Sequence, residues 1–324
     1  MRVTVLMSVY NAQDDLRASL DSILSQTYKN FEFIILDDGS TDNSVKIIEE
    51  YAAKDNRIIL LINKTNLGLA ASLNKGILHA KGEYIARQDA DDLSAPNRLA
   101  MQVDYVAANP DVDVLGTNCF YVDINNQIIY EDLSFSIHSD LTKRLLTKKA
   151  IFAHGSAFIK TDKLKECGMY DERFYFVQDG ELWLRMLSKK AKFHILSESL
   201  YYYKVTPVPN PSRKKTKEGF NKVLNMLYGS SEKPFLVDEE LENISNRLKT
   251  IPKTQYPFYM SVYWKSLANS SYFNNSARRN AYSYLAKALS EKNSLSNYIS
   301  YIALSVLYAF PKSMIQPLLK FVRN

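Results

Sequence analysis

Cysteine is scarce: Cys119 and Cys167 are the only two in 324 residues, far apart and without metal-ligand spacing. That excludes a disulfide framework and a thiolate metal site, fits a reducing compartment, and reads both as buried thiols. Long apolar runs are missing too. The opening stretch Met1–Tyr10 is too short for a signal peptide and polar residues follow it at once, so no export is implied. Tyr298–Phe310 is far shorter than the roughly 20 residues that span a bilayer, and Pro311 ends it. Also absent are a Walker loop, a Gly-x-Ser-x-Gly elbow and a Gly-x-Gly-x-x-Gly after the first strand, which removes the common nucleotide-binding and hydrolase classes.

What is present is an ordinary globular composition, 46% hydrophobic and 23% charged, in a chain long enough for a catalytic domain and a smaller appendage. The net charge of +6 is uneven: residues 213–324 hold 17 Lys and Arg against 7 Asp and Glu, leaving 24 against 28 for residues 1–212. A basic tail suits nucleic acid, anionic lipid or a phosphate-bearing substrate. No nucleic-acid recognition motif accompanies it, so nucleic acid is not the expected partner.

The β-rich run Val3–Val9 and the run Phe31–Leu36 flank Asp14–Ser25, where Leu16, Leu20, Ile23 and Leu24 recur at helical spacing. The pattern repeats with a helix near Asp42–Ala53, a strand at Ile58–Ile62, a helix near Leu69–Ala80 and a strand at Tyr84–Gln88. Alternation of this kind predicts an α/β fold, a doubly wound and mostly parallel sheet, with ligands beyond the carboxyl ends of its strands. A helix near Asn97–Ala108, apolar runs at Val112–Phe120 and Ile151–Ile159, the helical stretch Glu181–Ser188 and a strand at Leu200–Lys204 follow. Thr206–Lys217, with three prolines and four basic residues, reads as a mobile loop. The expected division is an α/β catalytic domain at 1–205, a linker at 206–217 and a helical region at 218–324, with Trp264–Phe273 and Arg278–Leu289 as a helical hairpin.

Two acidic clusters stand just after strands. Asp89-Ala90-Asp91-Asp92 offers the oxygen ligands that Mg²⁺ or Mn²⁺ takes, with a substrate diphosphate completing the octahedron. The competing reading is an Asp-rich turn capping the next helix, which Ser94 and Pro96 would start. Asp37-Asp38-Gly39-Ser40-Thr41-Asp42 places a carboxylate where it accepts the ring N–H of a pyrimidine, and Gly39 permits close backbone approach. Ser40, Thr41 or Asp42 would equally cap a helix. An aspartyl phosphatase needs two aspartates separated by one intervening residue after this strand, and Gly39 stands where the second would follow Asp37.

The order Ser8-Val9-Tyr10-Asn11, Asp37-Asp38-Gly39-Ser40-Thr41-Asp42, Asn66-Leu67-Gly68, Gly82-Glu83-Tyr84-Ile85 and Asp89-Ala90-Asp91-Asp92, with Pro96 and Arg98-Leu99, resembles family 2 glycosyltransferases. The resemblance runs from about residue 3 to 205, through His154-Gly155-Ser156, Gly168-Met169-Tyr170-Asp171-Glu172 and Asp179-Gly180-Glu181-Leu182-Trp183-Leu184-Arg185. It implies the GT-A fold and inverting transfer from a nucleoside-diphosphate sugar, most commonly a UDP-sugar. By the same resemblance Tyr10 and Asp38 hold the base, Asp89 supports the ribose and metal shell, and Asp91 is the direct ligand of Mn²⁺ or Mg²⁺. Ser8, Asn66, Gly68 and Asn74 join the expected donor site, and Asp92 is a further contributor. Asp179 is the expected general base, with Glu181 in reserve; His154, Gln178, Glu181 and Arg213 are candidates for acceptor or supporting contacts.

Three departures are visible: Gln178 where the family has Glu before the base, Leu73 where many relatives have Arg, and Thr206 where relatives often have His. The first removes a neighbouring negative charge and should ease ionisation of Asp179. Relatives often glycosylate lipid-linked precursors of surface polysaccharides, so a glycan or lipid-linked acceptor and a cytoplasmic location, at the inner face of the membrane, are expected. Met314, Ile315, Leu318, Leu319 and Val322 beside Lys312, Lys320 and Arg323 suit an anionic membrane or a second copy of the chain. The alternatives from other classes are a nucleotidyltransferase, which would open with a Gly-rich loop after strand one, and a non-catalytic sugar-nucleotide-binding module, which would not need Asp179.

Overall fold

The structure is a computed structural model that describes residues 1–133, 141–147, 150–205, 211–229, 240–244, 267 and 283–288. In chain order its elements are β1 (Val3–Val9), α1 (Leu16–Leu24), β2 (Phe31–Asp37), α2 (Ser44–Ala52), β3 (Ile58–Ile62), α3 (Leu69–His79), β4 (Tyr84–Asp89) and β5 (Leu93–Ser94). They continue with α4 (Arg98–Ala108), β6 (Val114–Val122), β7 (Ile128–Asp132), α5 (Leu141–Leu146), a 3₁₀ turn at His154–Ser156, β8 (Phe158–Lys160), α6 (Thr161–Glu166), α7 (Gln178–Ser188), β9 (Phe193–Lys204) and α8 (Pro211–Tyr228).

The strand order is β3-β2-β1-β4-β8-β6-β9-β5, with β7 paired to β6. The first four strands in space are parallel, and β8 joins β4 antiparallel. β1 and β2 are apolar almost throughout because both faces are covered, as a parallel sheet requires. Helix α1 turns Leu16, Leu20 and Ile23 into the core and α2 turns Ile47 and Ile48, each a stripe at three- and four-residue spacing. Gly76 brings α3 down onto β1, since a Cβ there would collide with the Leu6 side chain.

Register decides what lies at the carboxyl edge. Ser8 stands level with Leu36 on one side and Asp89 on the other, and Val9 with Asp37, so the residues after β1, β2 and β4 emerge in one row. The backbone N–H of Asp38 donates to the Val9 carbonyl at 2.7 Å and that of Asn63 to the Asp37 carbonyl at 2.9 Å, extending the row toward β3.

The chain forms two compact units. The first comprises Met1–Phe120, Asp132–Lys204 and Asn210–Pro252; the second comprises Tyr121–Glu131, Val205–Pro209 and Lys253–Asn324. In the second, the chain turns back through Asp123–Gln127, where the Asp123 carboxylate accepts from the backbone of Asn125 and Gln127, and Tyr121 stacks on Tyr130 at 4.6 Å. Helix α8 begins at Pro211, inside the stretch expected to be loop, because proline suits the first helical position, where no N–H is needed. The expected hairpin of Trp264–Phe273 with Arg278–Leu289 lies outside the described residues except for Leu267 and 283–288, and the Met314–Val322 face lies wholly outside them. No helix among the described residues is long and apolar enough to cross a membrane.

Candidate active site

The acidic edge is built on two buried arginines. Arg87 of β4 is 1% exposed; its guanidinium donates to the Leu6 and Gln88 carbonyls and pairs with Asp89. Arg98, fully buried at the start of α4, donates to the Arg87 carbonyl, Gln88 and Ser94 and lies over the Tyr201 ring. Burial holds the Arg98 pKa down at about 10. These cations set the charge balance beneath the Asp89–Asp92 turn. Ser94 faces Gln88 and Arg98, and the residue before α4 is Asn97 with no side-chain cap bond, so the helix-cap reading of this turn fails.

The three aspartates of the turn sit in different environments. For Asp89 burial works to raise the pKa, but attraction to Arg87, then His154, outweighs it and holds the carboxyl below the ordinary value. Asp92 is 2% exposed and accepts from the Lys204 backbone at 2.7 Å; burial, then the charges of Asp91 and Asp89, push it well above the usual carboxylate range. Asp91, half-buried, has no hydrogen-bond or ion-pair partner among the described residues. Burial and then the Asp89 charge raise its pKa to about 6.

Asp179 stands in the first turn of α7 and likewise has no hydrogen-bond or ion-pair partner among the described residues. Asp179 does not cap the helix: the N-cap is Val177, in the left-handed region at φ 54°, and no side chain closes the helix end. Tyr203, next to the end of β9, has its hydroxyl pKa raised by burial and then by the charges of Asp92, Asp89, Asp91 and Asp179. His154 has its pKa lowered to about 4 by burial and by Arg87, against the opposing pull of Asp179 and Asp89.

Asp38 is 2% exposed and already held: it accepts from Asn63 Nδ2, the Leu67 N–H and the Gly68 N–H, each at 2.9 Å. Gly39, at φ 74°, lets the Thr65–Asn66 backbone come close; an added Cβ would stand 2.8 Å from the Asn66 nitrogen. The backbone of Leu67 and Gly68 therefore fixes Asp38, and Asn66 packs against Gly39. Tyr10 is 51% exposed at the end of β1, next to Asn11, whose Oδ1 accepts from the Thr41 N–H. The Tyr175 ring lies against Gly68, 3.9 Å from where a Cβ would be, which ties the Asp38 turn to the segment leading into α7. Gln178 is half-buried at the head of that helix.

Two expected residues are engaged elsewhere. Both amide protons of Asn74 are used, on the Tyr170 carbonyl and Glu172, while its oxygen accepts from the Tyr170 N–H at 2.9 Å. Asn74 in this structure is a clamp on the 170–172 segment. Glu181 is 2% exposed and bound by Arg185 through two hydrogen bonds and by the Tyr228 hydroxyl. The side chain of Arg213 lies outside the described residues, as does Thr206. Leu73, where many relatives have arginine, is fully buried in the core.

Sequence reasoning missed Arg87, Tyr170, Tyr203 and Lys204. Lys204 is buried, its ammonium 2.5 Å from Asp15, and its charge counters that of Asp91. An arginine following the apolar run Tyr84-Ile85-Ala86 within the strand, two residues before an aspartate, is the signal that was there to read.

The sequence model described as glycosyl transferase family 2 matches residues 4–168. An uncharacterized glycosyltransferase of Methanocaldococcus jannaschii is 38% identical over 205 residues, covering 63% of this chain and 70% of its own. The O-antigen biosynthesis glycosyltransferase WbnJ of Escherichia coli is 33% identical over 211 residues, 63% of this chain and 79% of its own. Among solved structures, S. aureus TarS 1-349 in complex with UDP-GlcNAc aligns over 100% of this chain and 87% of its own, with a TM-score of 0.58 at 19% identity. Mannosyltransferase PcManGT from Pyrobaculum calidifontis, in complex with GDP-Man and Mn²⁺, aligns over 95% and 81% with a TM-score of 0.53 at 19% identity. The chain belongs to glycosyl transferase family 2: it is a glycosyltransferase with the GT-A fold.

Proposed function

We propose that the protein is an inverting glycosyltransferase that moves a sugar from a nucleoside diphosphate, UDP in the favoured reading, to a hydroxyl of a glycan or lipid-linked saccharide in surface-polysaccharide synthesis. One observation carries the proposal: Asp38, Asp89, Asp92 and Glu181 are all bound by protein donors, whereas Asp91, in the turn at the carboxyl edge of the sheet, and Asp179, in the first turn of α7, are not. Carboxylates left without partners at such burial are costly unless a ligand completes them. The relatives are consistent with the substrate class, since TarS is seen with UDP-GlcNAc and WbnJ is named for O-antigen biosynthesis.

The residues fit a divalent cation held by substrate as much as by protein. Among the described residues no three His, Cys, Asp or Glu form a metal cage of their own. Asp91 offers one unpartnered carboxylate beside Asp89, the donor set expected for Mg²⁺ or Mn²⁺ bound through one or two carboxylates and a diphosphate. Such an ion supplies neutralisation of the charge on the leaving diphosphate.

The protein's own part follows from position. Tyr10 and Asp38, at the ends of β1 and β2, receive the base, and Asp89, fixed by Arg87, receives the ribose. Asp179 accepts the proton of an acceptor hydroxyl as that oxygen bonds to the anomeric carbon, the bond to the diphosphate oxygen breaks, and configuration inverts. Replacing the base as Asp179→Asn is expected to lower kcat by about 10²–10⁴ while donor affinity stays within about twofold. Turnover at the wild-type rate would remove Asp179 from this role.

A further inference from the structure

Residues 167–177 join α6 to α7 without forming helix or strand, and the structure ties them down along their length. Arg185 of α7 donates to the Cys167 carbonyl and, at 2.6 Å, to the Met169 carbonyl. Asn74 of α3 takes the next residues. Its Nδ2 donates to the Tyr170 carbonyl at 2.9 Å and to the Glu172 carboxylate at 3.0 Å, and its Oδ1 accepts from the Tyr170 N–H at 2.9 Å. Phe174 and Phe176 then pack on Phe220 of α8, and the Tyr175 ring lies against Gly68. The strap ends at the left-handed Val177, and Asp179 follows in the first turn of α7.

The anchors differ in what they can fix. Arg185 sits on the same helix as Asp179, so it cannot set that helix against the rest of the fold. The aromatic contacts fill space but give little direction. Asn74 spends both amide protons and its oxygen on the strap, and at 8% exposed it has no free donor to offer a nucleotide. Bonding both the N–H and the carbonyl of Tyr170 fixes rotation as well as distance, as a paired strand residue would, and the Glu172 arm is charge-assisted. The helix that carries Asn74 starts just after Gly68, whose N–H holds Asp38. We propose that Asn74 is a positioning residue for Asp179: rather than touching the donor, it locks the 170–172 strap to the donor edge of the sheet, so that α7 begins where its first-turn carboxylate reaches the acceptor hydroxyl. The proposal rests on the reading of Asp179 as the general base. A displacement of about 1 Å at a reacting group costs on the order of 10² in rate, which is the lever that such a clamp controls.

A double-mutant cycle on the full chain tests it. UDP-glucose, UDP-galactose, UDP-GlcNAc, GDP-mannose and dTDP-rhamnose are titrated with Mn²⁺. Release of nucleoside diphosphate from the tightest binder, with water as acceptor, is then timed in wild type, Asn74→Ala, Asp179→Asn and the double variant. Asn74→Ala is expected to lower kcat about 10- to 100-fold with donor affinity kept within about twofold. In the Asp179→Asn background it should cost less than about twofold, because no base is left to misplace. Weaker donor binding with kcat kept would make Asn74 a donor ligand, and the same loss in both backgrounds would make it merely structural; either result overturns the proposal. Glu172→Ala removes one arm of the clamp at an exposed position, so it carries the cycle if Asn74→Ala is unstable, with the same pattern expected at about threefold. Amide exchange followed by mass spectrometry needs no turnover: in both clamp variants, peptides covering residues 169–180 should exchange faster and those covering 63–68 should not. Unchanged exchange over 169–180 also overturns the proposal. If no nucleotide-sugar binds, the glycosyl-transfer assignment itself falls. Wild-type release by Asp179→Asn removes the base assignment and the proposal with it, whereas a slow Asp179→Asn with equal Asn74 losses in both backgrounds strikes the role of Asn74 alone.

Discussion

At the scale of the residue, Asp91 carries an electrostatic burden that a purely structural side chain would not. Its pKa is raised from 3.8 to about 6, first by burial and then by Asp89. Because the folded value exceeds the unfolded one, the unfolded chain loses this proton first as pH rises. The stabilising contribution of the protonated group is therefore complete below about pH 4 and is lost as pH climbs through about 6. Asp91→Asn should melt higher than the wild type at pH 7.5 without metal, by a margin that shrinks toward pH 4, and should lose all metal-stimulated activity. A pH-independent margin in a thermal denaturation series, or retained metal stimulation, would count against the assignment. The acidic pairs themselves were legible because they follow strands, and strand ends are where this class of fold puts its ligands. Their partners were not. That Asp89 is held by Arg87 and Asn74 by Tyr170 depends on contacts between residues 2 and 96 positions apart, and only the first was within reach of a local reading.

The element that matters most is α7 together with the residue before it. Val177 takes a left-handed φ of 54°, uncommon for a β-branched residue and worth about 1–3 kcal/mol of strain. Strain next to Asp179 is the pattern expected where a turn must aim one side chain. Val177→Gly should relieve it, raising the melting temperature by a few degrees while lowering kcat, with donor affinity unchanged; a variant that is both more stable and fully active would show that the turn does not aim the base. Periodicity located most helices and strands within a few residues, since the buried stripes of α1 and α2 and the apolar runs of β1 and β2 are plain in the sequence. It placed the start of α7 three residues late, at Glu181, because Gln178-Asp179-Gly180 has no apolar periodicity. It also recognised only the end of β9, whose middle carries Ser197-Glu198-Ser199. The start of α8 was hidden by three prolines that look like loop, although the last of them opens a helix.

For the whole molecule, the carboxylates of Asp89, Asp91 and Asp92 are balanced only in part by Arg87 and Arg98, because Lys204 is already paired with Asp15, and the proposed cation would supply the missing positive charge. Anything that binds the native state alone raises its stability by mass action, about 2.7 kcal/mol at a hundred times Kd. The melting temperature should therefore rise more with Mn²⁺ and a nucleotide-sugar together than with both added separately, and this excess should vanish in Asp91→Ala. Simple additivity in a thermal-shift titration would mean that metal and donor do not share a site. The central claim is that Asp91 and Asp179 face one cleft, one toward the diphosphate and the other toward the acceptor. The most direct measurement is an anomalous difference map at the manganese edge from crystals grown with Mn²⁺ and the bound donor. The account predicts a single strong peak bonded to Asp91 and the diphosphate, with the anomeric carbon turned toward Asp179. A peak remote from Asp91, or a sugar pointing away from Asp179, would contradict it.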